Sequence, residues 1–444
     1  MSPHKMSITF TGHTQALETV VSVLARHKSD DYYAYERRET WYIGIGCHAS
    51  LVLDSQGDTV TIKTDAGQTS RPVDEPSITD VARNFVSENS KTGYRIFGQA
   101  GFNYAAHIRG QAYTPGNWPL LALLVPRIEM LLHQNTITLK GIDDDEVKAL
   151  YEAISHINTS LCLPCPRNSK PIGTQDIEGS YTARVERALR DIAEGRYIKV
   201  IPSRALEVDG KIDIPATLLA GRQSNNPART FSLSHAGYQA TGFSPELVLS
   251  VENGKVKTEP LAGTRSALGT KQGVEKLRDE LLNYPKEIVE HVLSVREALE
   301  ELGQLCPSDT IKVDDLMSIR PRGSVQHIGS SVSGTLLPEK DMWDAFEVLF
   351  PSITASGIPK KAAIEAIQNL EDEPRELYSG AVLMIENSQS LEAALVLRTV
   401  FQDENRGWIQ AGAGVISQSS PQRELTETRE KLASIAPFVI SETP

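Results

Sequence analysis

Two pairs of glutamates open the chemistry of this chain: Glu287 and Glu290 in Pro-Lys-Glu-Ile-Val-Glu-His, and Glu424 and Glu427 in Arg-Glu-Leu-Thr-Glu-Thr-Arg-Glu-Lys-Leu. On a helix a spacing of three puts both carboxylates of a pair on one face, where they repel by roughly a few tenths of a kcal/mol. A hard cation reverses that penalty, and oxygen-only ligation with positions left for water and substrate is what Mg²⁺ prefers. The same spacing also describes a solvated acidic face. Just before the second pair runs Gln410-Ala-Gly-Ala-Gly-Val-Ile416. Gly412 and Gly414 let a backbone approach a ligand and donate N–H groups to an anion, although they suit a bulge or tight packing equally well. Tyr378, Arg398 and Lys431 add a hydroxyl and two cations. Arg398 closes the apolar run Ala393-Ala-Leu-Val-Leu-Arg, so its guanidinium needs a carboxylate, either from the chain or from a ligand. Lys199 and Glu246, the latter in Gly-Phe-Ser-Pro-Glu-Leu-Val, are a base and an acid of the kind an addition and elimination of water requires, although their sequence positions alone do not bring them together.

These residues need a frame. Trp41–Gly46, Leu51–Leu53, Thr59–Lys63 and Thr136–Lys140 are rich in β-branched and aromatic residues between short turn signals, and they predict strands. Trp118–Pro126 reads as a buried strand, far short of the roughly 20 apolar residues of a membrane helix. Three- and four-residue apolar spacing predicts helices over Ile78–Asn89 and Asp144–Ile157. Cys162–Gly173 holds three prolines, Asn168 and Ser169, and predicts a connection between a strand-rich part, 1–173, and a second part, 174–444. Beyond it come an amphipathic helix over Tyr181–Gly195 and one strand over Lys199–Val208. Asn253-Gly254 is a two-residue hairpin signal joining Glu246–Val251 to Lys255–Thr258. Helices follow over Val274–Leu282 and Glu287–Leu302. Hairpins without strand-helix alternation predict an α+β fold with large antiparallel sheets, essentially one two-lobed domain.

Of 444 residues, 40% are hydrophobic and 57 Asp and Glu face 45 Lys and Arg, for a formal net charge of -12. That balance argues against nucleic acid as the main partner, and an anionic ligand in such a chain needs local cations or a bridging metal. The first ten residues lack the apolar region of a secretory signal, so a cytoplasmic protein is expected. Cys47, Cys162, Cys165 and Cys306 do not make a disulfide framework, and the lone pair Cys162 and Cys165 lacks the second ligand pair of a structural zinc site.

Taken together, eight ordered blocks between about residues 178 and 436 resemble the chorismate-utilising enzymes, whose members form salicylate, isochorismate, anthranilate or aminodeoxychorismate. They are Lys199-Val-Ile-Pro-Ser-Arg204, Gly242-Phe-Ser-Pro-Glu246, Glu259-Pro-Leu-Ala-Gly-Thr-Arg265, Lys286-Glu-Ile-Val-Glu-His291, Ser324-Val-Gln-His-Ile-Gly329, Thr354-Ala-Ser-Gly-Ile-Pro-Lys360, Tyr378-Ser-Gly-Ala-Val382 and Gln410–Lys431. The resemblance implies Mg²⁺ held by Glu290 and Glu427, with Glu287 and Glu424 holding its water or completing the set. It implies Lys199 as general base and Glu246 as general acid. Tyr378 and Arg398 would take the enolpyruvyl carboxylate, the metal would fix the ring carboxylate with Lys431 adding charge beside it, and the Gly412 and Gly414 amides would add to the positive field. Leu261, Thr264, His327 and Thr354 would line the ring. Lys199 stands where amine-using members carry Gln, which implies water as nucleophile, and Ala262 stands where some members hold a nucleophilic lysine. The blocks at Thr354, Lys286 and Tyr378 look like the salicylate-forming branch, and Leu383-Met384 stands where isochorismate-forming members usually carry Gly-Trp, implying chorismate to isochorismate to salicylate plus pyruvate, often for siderophore assembly. An enzyme stopping at isochorismate is the alternative. Chorismate is the implied partner, with no amidotransferase subunit and no membrane.

Overall fold

The computed structural model describes residues 6–12, 15–73, 77–156, 172–176 and 179–442. Two large antiparallel sheets dominate it, of ten and twelve strands. The ten-stranded sheet runs from Met6–Thr11 at one edge, through Tyr32–Arg37 and Arg229–His235 at its centre, to Gly407–Gly412 and Ser203–Val208 at the other edge. The twelve-stranded sheet carries Leu261–Ser266 and Val325–Thr335 at one end, and Ile96–Ala100 beside Ala381–Asn387 in its middle. Each sheet is therefore built from one block of neighbouring strands from before the 162–173 connection and one block from after it, joined at a single seam. Tyr32–Arg37 pairs with Arg229–His235, and Ile96–Ala100 pairs with Ala381–Asn387.

The inner faces meet through a mostly apolar layer that includes Tyr33, Tyr35, Phe97, Trp118, Phe231 and Trp408. Helices cover the outer faces, among them Ala16–Arg26 and Ile214–Ser224 on the ten-stranded sheet and Pro285–Leu302 and Lys360–Leu370 on the other. Each inner face needs alternate residues to be apolar, whereas strands such as Leu121–Val125 are buried on both sides and are continuously apolar.

Most expected elements occur within a residue or two. The helices are Ile78–Asn89, Asp144–Ser155, Ser180–Ala193, Lys271–Asn283 and Pro285–Leu302. Asn253 and Gly254 both take positive φ, 50° and 77°, in the hairpin between Leu247–Glu252 and Lys255–Thr258, as a two-residue turn matched to strand twist requires. Two expectations are corrected. The single strand over Lys199–Val208 is two: Lys199–Val200 pairs with Gly357–Ile358, and Ser203–Val208 pairs with Gly407–Gly412. Pro202 has no N–H to give a ladder, and the chain changes partner there. Arg398 does not lie on a strand either. The strand ends at Leu395, and Arg398 sits at φ 51° in the connection to Thr399–Gln402. Cys162 and Cys165 lie outside the described residues, while Cys47 is half-buried and Cys306 buried, both as free thiols. No helix among the described residues is long and apolar enough to cross a membrane.

Candidate active site

The two acidic helices enter alike. Pro285–Leu302 and Pro421–Leu432 each carry proline in the first turn, where a missing N–H costs nothing. The second is capped by Ser420, whose side chain accepts from the Arg423 amide. Glu287 and Glu424 thus fall in first turns, where the positive end of the helix favours a carboxylate. Both helix ends lean on the strand Leu261–Ser266. Arg265 Nη1 holds Glu287 Oε1 at 2.8 Å, Arg423 Nη2 donates to the Thr264 carbonyl at 2.9 Å, and Thr264 Oγ1 reaches Glu427 Oε1 at 3.5 Å. All four glutamates are buried, with exposures from 0% to 5%, which excludes the solvated-face reading of their spacing.

A partly enclosed cavity opens between these elements. Glu246, Leu261, Thr264, Glu290, His327, Thr354, Tyr378, Arg398, Gly412, Gly414, Glu427 and Lys431 all line it. Lys199, Glu287 and Glu424 stand just behind the wall. Lys199, 1% exposed, places Nζ 3.0 Å from Glu290 Oε1 and 3.0 Å from Ser294 Oγ. Gly414 makes that approach possible, since a Cβ there would collide with the Glu290 carboxylate and lie 3.3 Å from Lys199 Cε. Gly412 is equally constrained, with a Cβ falling 2.6 Å from the Pro202 carbonyl.

Charge at the site is unevenly matched. Lys286, adjacent in sequence to Glu287, is buried with its ammonium 2.9 Å from Glu290 Oε2 and 3.4 Å from Glu424 Oε1. Lys431 Nζ lies 2.9 Å from Glu427 Oε1 and donates to the Gly412 carbonyl at 2.9 Å. Burial pushes Glu427 up, but Lys431, with Lys286 and Arg423, outweighs it and holds the carboxyl down at about 2. Burial wins at Glu424, raised to about 7. As the side chains stand, no three His, Cys, Asp or Glu groups among the described residues converge to hold a metal ion; the Lys286 ammonium lies between Glu290 and Glu424. The donor set nonetheless fits a hard divalent cation. It is all oxygen, and Glu287 Oε2, Glu424 Oε2 and Glu427 Oε2 are buried without a hydrogen bond among the described residues, a costly state that a cation relieves.

Across the cavity, Arg398 is buried with no carboxylate in reach among the described residues. It donates to the Arg322 carbonyl at 3.0 Å and contacts His327 Nε2. Burial, with Arg322 nearby, lowers it to about 9; burial, Arg398 and Lys431 hold His327 well below its ordinary value, so the ring is neutral. A desolvated guanidinium bonded only to neutral acceptors is a ready site for an anion. Glu246 is 1% exposed, and burial raises it to about 8 against the opposing hydrogen bond that Ser352 Oγ donates to its Oε1 at 2.9 Å. Its Oε2 has no hydrogen-bond partner among the described residues. The site thus offers a proton donor, an amine and two cationic anchors around one cavity.

Lys286, Arg265, Ser294 and Ser352 also belong to the site, beyond the residues singled out from sequence. Lys286 had a signal, since it precedes Glu290 by four on the same helix face. The two serines had none, because their partners are 95 and 106 residues away.

The sequence matches the family model for chorismate binding enzymes over residues 30–437. It is 38% identical over 432 residues to a salicylate synthase of Mycolicibacterium paratuberculosis, covering 94% of this chain and 92% of that protein. It is 35% identical to an anthranilate synthase component 1 of Methanothermobacter thermautotrophicus over 60% of this chain and 57% of that one. Among solved structures, the menaquinone-specific isochorismate synthase of Escherichia coli shares the fold at a TM-score of 0.73 and 20% identity, covering 98% of this chain and 95% of that one. The anthranilate synthase component I of Streptococcus pneumoniae does so at 0.70 and 22%, covering 90% and 92%.

Proposed function

This chain belongs to the chorismate binding enzymes, and we propose that within that family it converts chorismate through isochorismate to salicylate and pyruvate. The observation that carries the reading is the convergence of Glu246, buried with one oxygen unpartnered among the described residues, and Lys199, seated at the wall against Glu290, on a cavity that also presents Arg398 and Lys431. Lys199 takes a proton from the water that attacks C2 while Glu246 gives one to the departing C4 hydroxyl, which yields isochorismate. The C2 hydrogen then passes to the enolpyruvyl methylene as the C3–O bond breaks, and this step asks for no protein base.

Arg398 and Tyr378 hold the enolpyruvyl carboxylate, and Lys431 with the Gly412 and Gly414 amides holds the ring carboxylate. Two anchored carboxylates leave the ring little freedom to turn. Leu261, Thr264, His327 and Thr354 shape the wall around it. Glu290 and Glu427 would hold Mg²⁺, backed by Glu287 and Glu424; when bound, the ion supplies the positive charge that an acidic protein otherwise lacks for a dianionic substrate. A cytoplasmic enzyme that works without an amidotransferase and feeds siderophore or other salicylate-derived synthesis completes the reading.

The test is direct. Purified protein given chorismate and Mg²⁺ should release fluorescent salicylate and an equal amount of pyruvate. Accumulation of isochorismate without pyruvate would instead make it an isochorismate synthase.

A further inference from the structure

We propose that Ser352 is a positioning residue that fixes which oxygen of Glu246 carries the transferable proton, turning it into the cavity. The inference rests on the reading of Glu246 as the general acid.

Ser352 is buried at 7% exposure, just past the helix Met342–Leu349. Its hydroxyl oxygen accepts from the Thr354 amide at 3.3 Å, and its only proton is donated to Glu246 Oε1 at 2.9 Å. An oxygen that accepts from a hydroxyl along that line cannot also present its own hydrogen there. When Glu246 is protonated, the hydrogen is therefore placed on Oε2, which has no partner among the described residues and belongs to a cavity-lining side chain. The Thr354 hydroxyl does not compete, because it donates to the Leu261 carbonyl at 3.0 Å. The main chain of Glu246 is fixed as well. Its carbonyl accepts from the Leu395 amide at 3.2 Å, and Ser352 restrains the carboxyl at the far end of the side chain. The charged groups that face this carboxyl are Lys199, Glu259, Arg322 and Arg398, and none of them forms a direct ion pair with it.

The experiment compares Ser352→Ala and Ser352→Thr on two substrates. With chorismate, the alanine variant should lose about tenfold in kcat with KM within about twofold. The high-pH limb of kcat should also move upward, because a hydrogen bond that favours the carboxylate is gone. With isochorismate, which needs no acid, the same variant should match the wild type. Threonine restores the hydroxyl and should recover most of the loss. Equal losses on both substrates, threonine no better than alanine, or an alanine variant with undiminished chorismate turnover would each overturn the role. A wild-type protein that makes no isochorismate from chorismate would bring down the underlying reading instead.

Discussion

Glu246 and Lys199 divide the proposed reaction, so their replacement should divide it too. Lys199→Ala and Glu246→Gln should each lower the conversion of chorismate by about 100- to 10,000-fold, the usual worth of a positioned acid or base. Both variants should still turn supplied isochorismate into salicylate, since that stage asks for neither proton. The pH profile follows from the raised Glu246. Burial lifts its proton affinity to about 8, so the acid form persists below that value and is lost as pH rises through it. Chorismate turnover in the wild type should fall above about pH 8, and Glu246→Gln should show no such limb in what activity remains. Salicylate fluorescence across a pH series reads both. An unchanged rate for either variant on chorismate would remove it from the chemistry.

At the scale of elements, the proposed metal site is a joint between two helices far apart in sequence, and binding there should tie them. A ligand present at 100 times its dissociation constant adds about 2.7 kcal/mol of stability. Adding Mg²⁺ should accordingly raise the unfolding midpoint, and Glu290→Gln or Glu427→Gln should shrink that rise while chelator abolishes it along with turnover. An undiminished rise in both variants would put the ion elsewhere. How far the sequence spoke also differs by element. The hairpin at Asn253-Gly254 was legible because the turn chemistry is local, and so were both acidic helices, whose spacing and prolines are local. Their facing one another was not legible from spacing, because it is set by Leu261–Ser266 between them. Pro202 carried a readable warning that the strand over Lys199–Val208 must break, and Arg398 left its strand because the chain turns there at φ 51°. Ser294 and Ser352 were invisible, since a serine's meaning here is the distant side chain it meets.

Over the whole molecule, the deciding fact is that neither sheet belongs to one part of the chain. Residues 174–444 hold most of the proposed site, yet their strand Arg229–His235 is completed by Tyr32–Arg37, and Ala381–Asn387 by Ile96–Ala100. The layer between the sheets is likewise shared, with Tyr33 stacked on Phe97 from one part and Phe231 and Trp408 supplied by the other. Expressed alone, the segment 174–444 would expose two central strand edges and half an apolar interface, a state prone to aggregation rather than folding. We therefore expect that segment to be insoluble or unfolded. The full chain should lose its tryptophan fluorescence and its circular dichroism in one coincident denaturant transition, because no subset of strands closes a core by itself. A soluble 174–444 fragment with native-like dichroism, or two separated transitions in the full chain, would show that the strand-rich part is an accessory to the catalytic half and not a component of its walls.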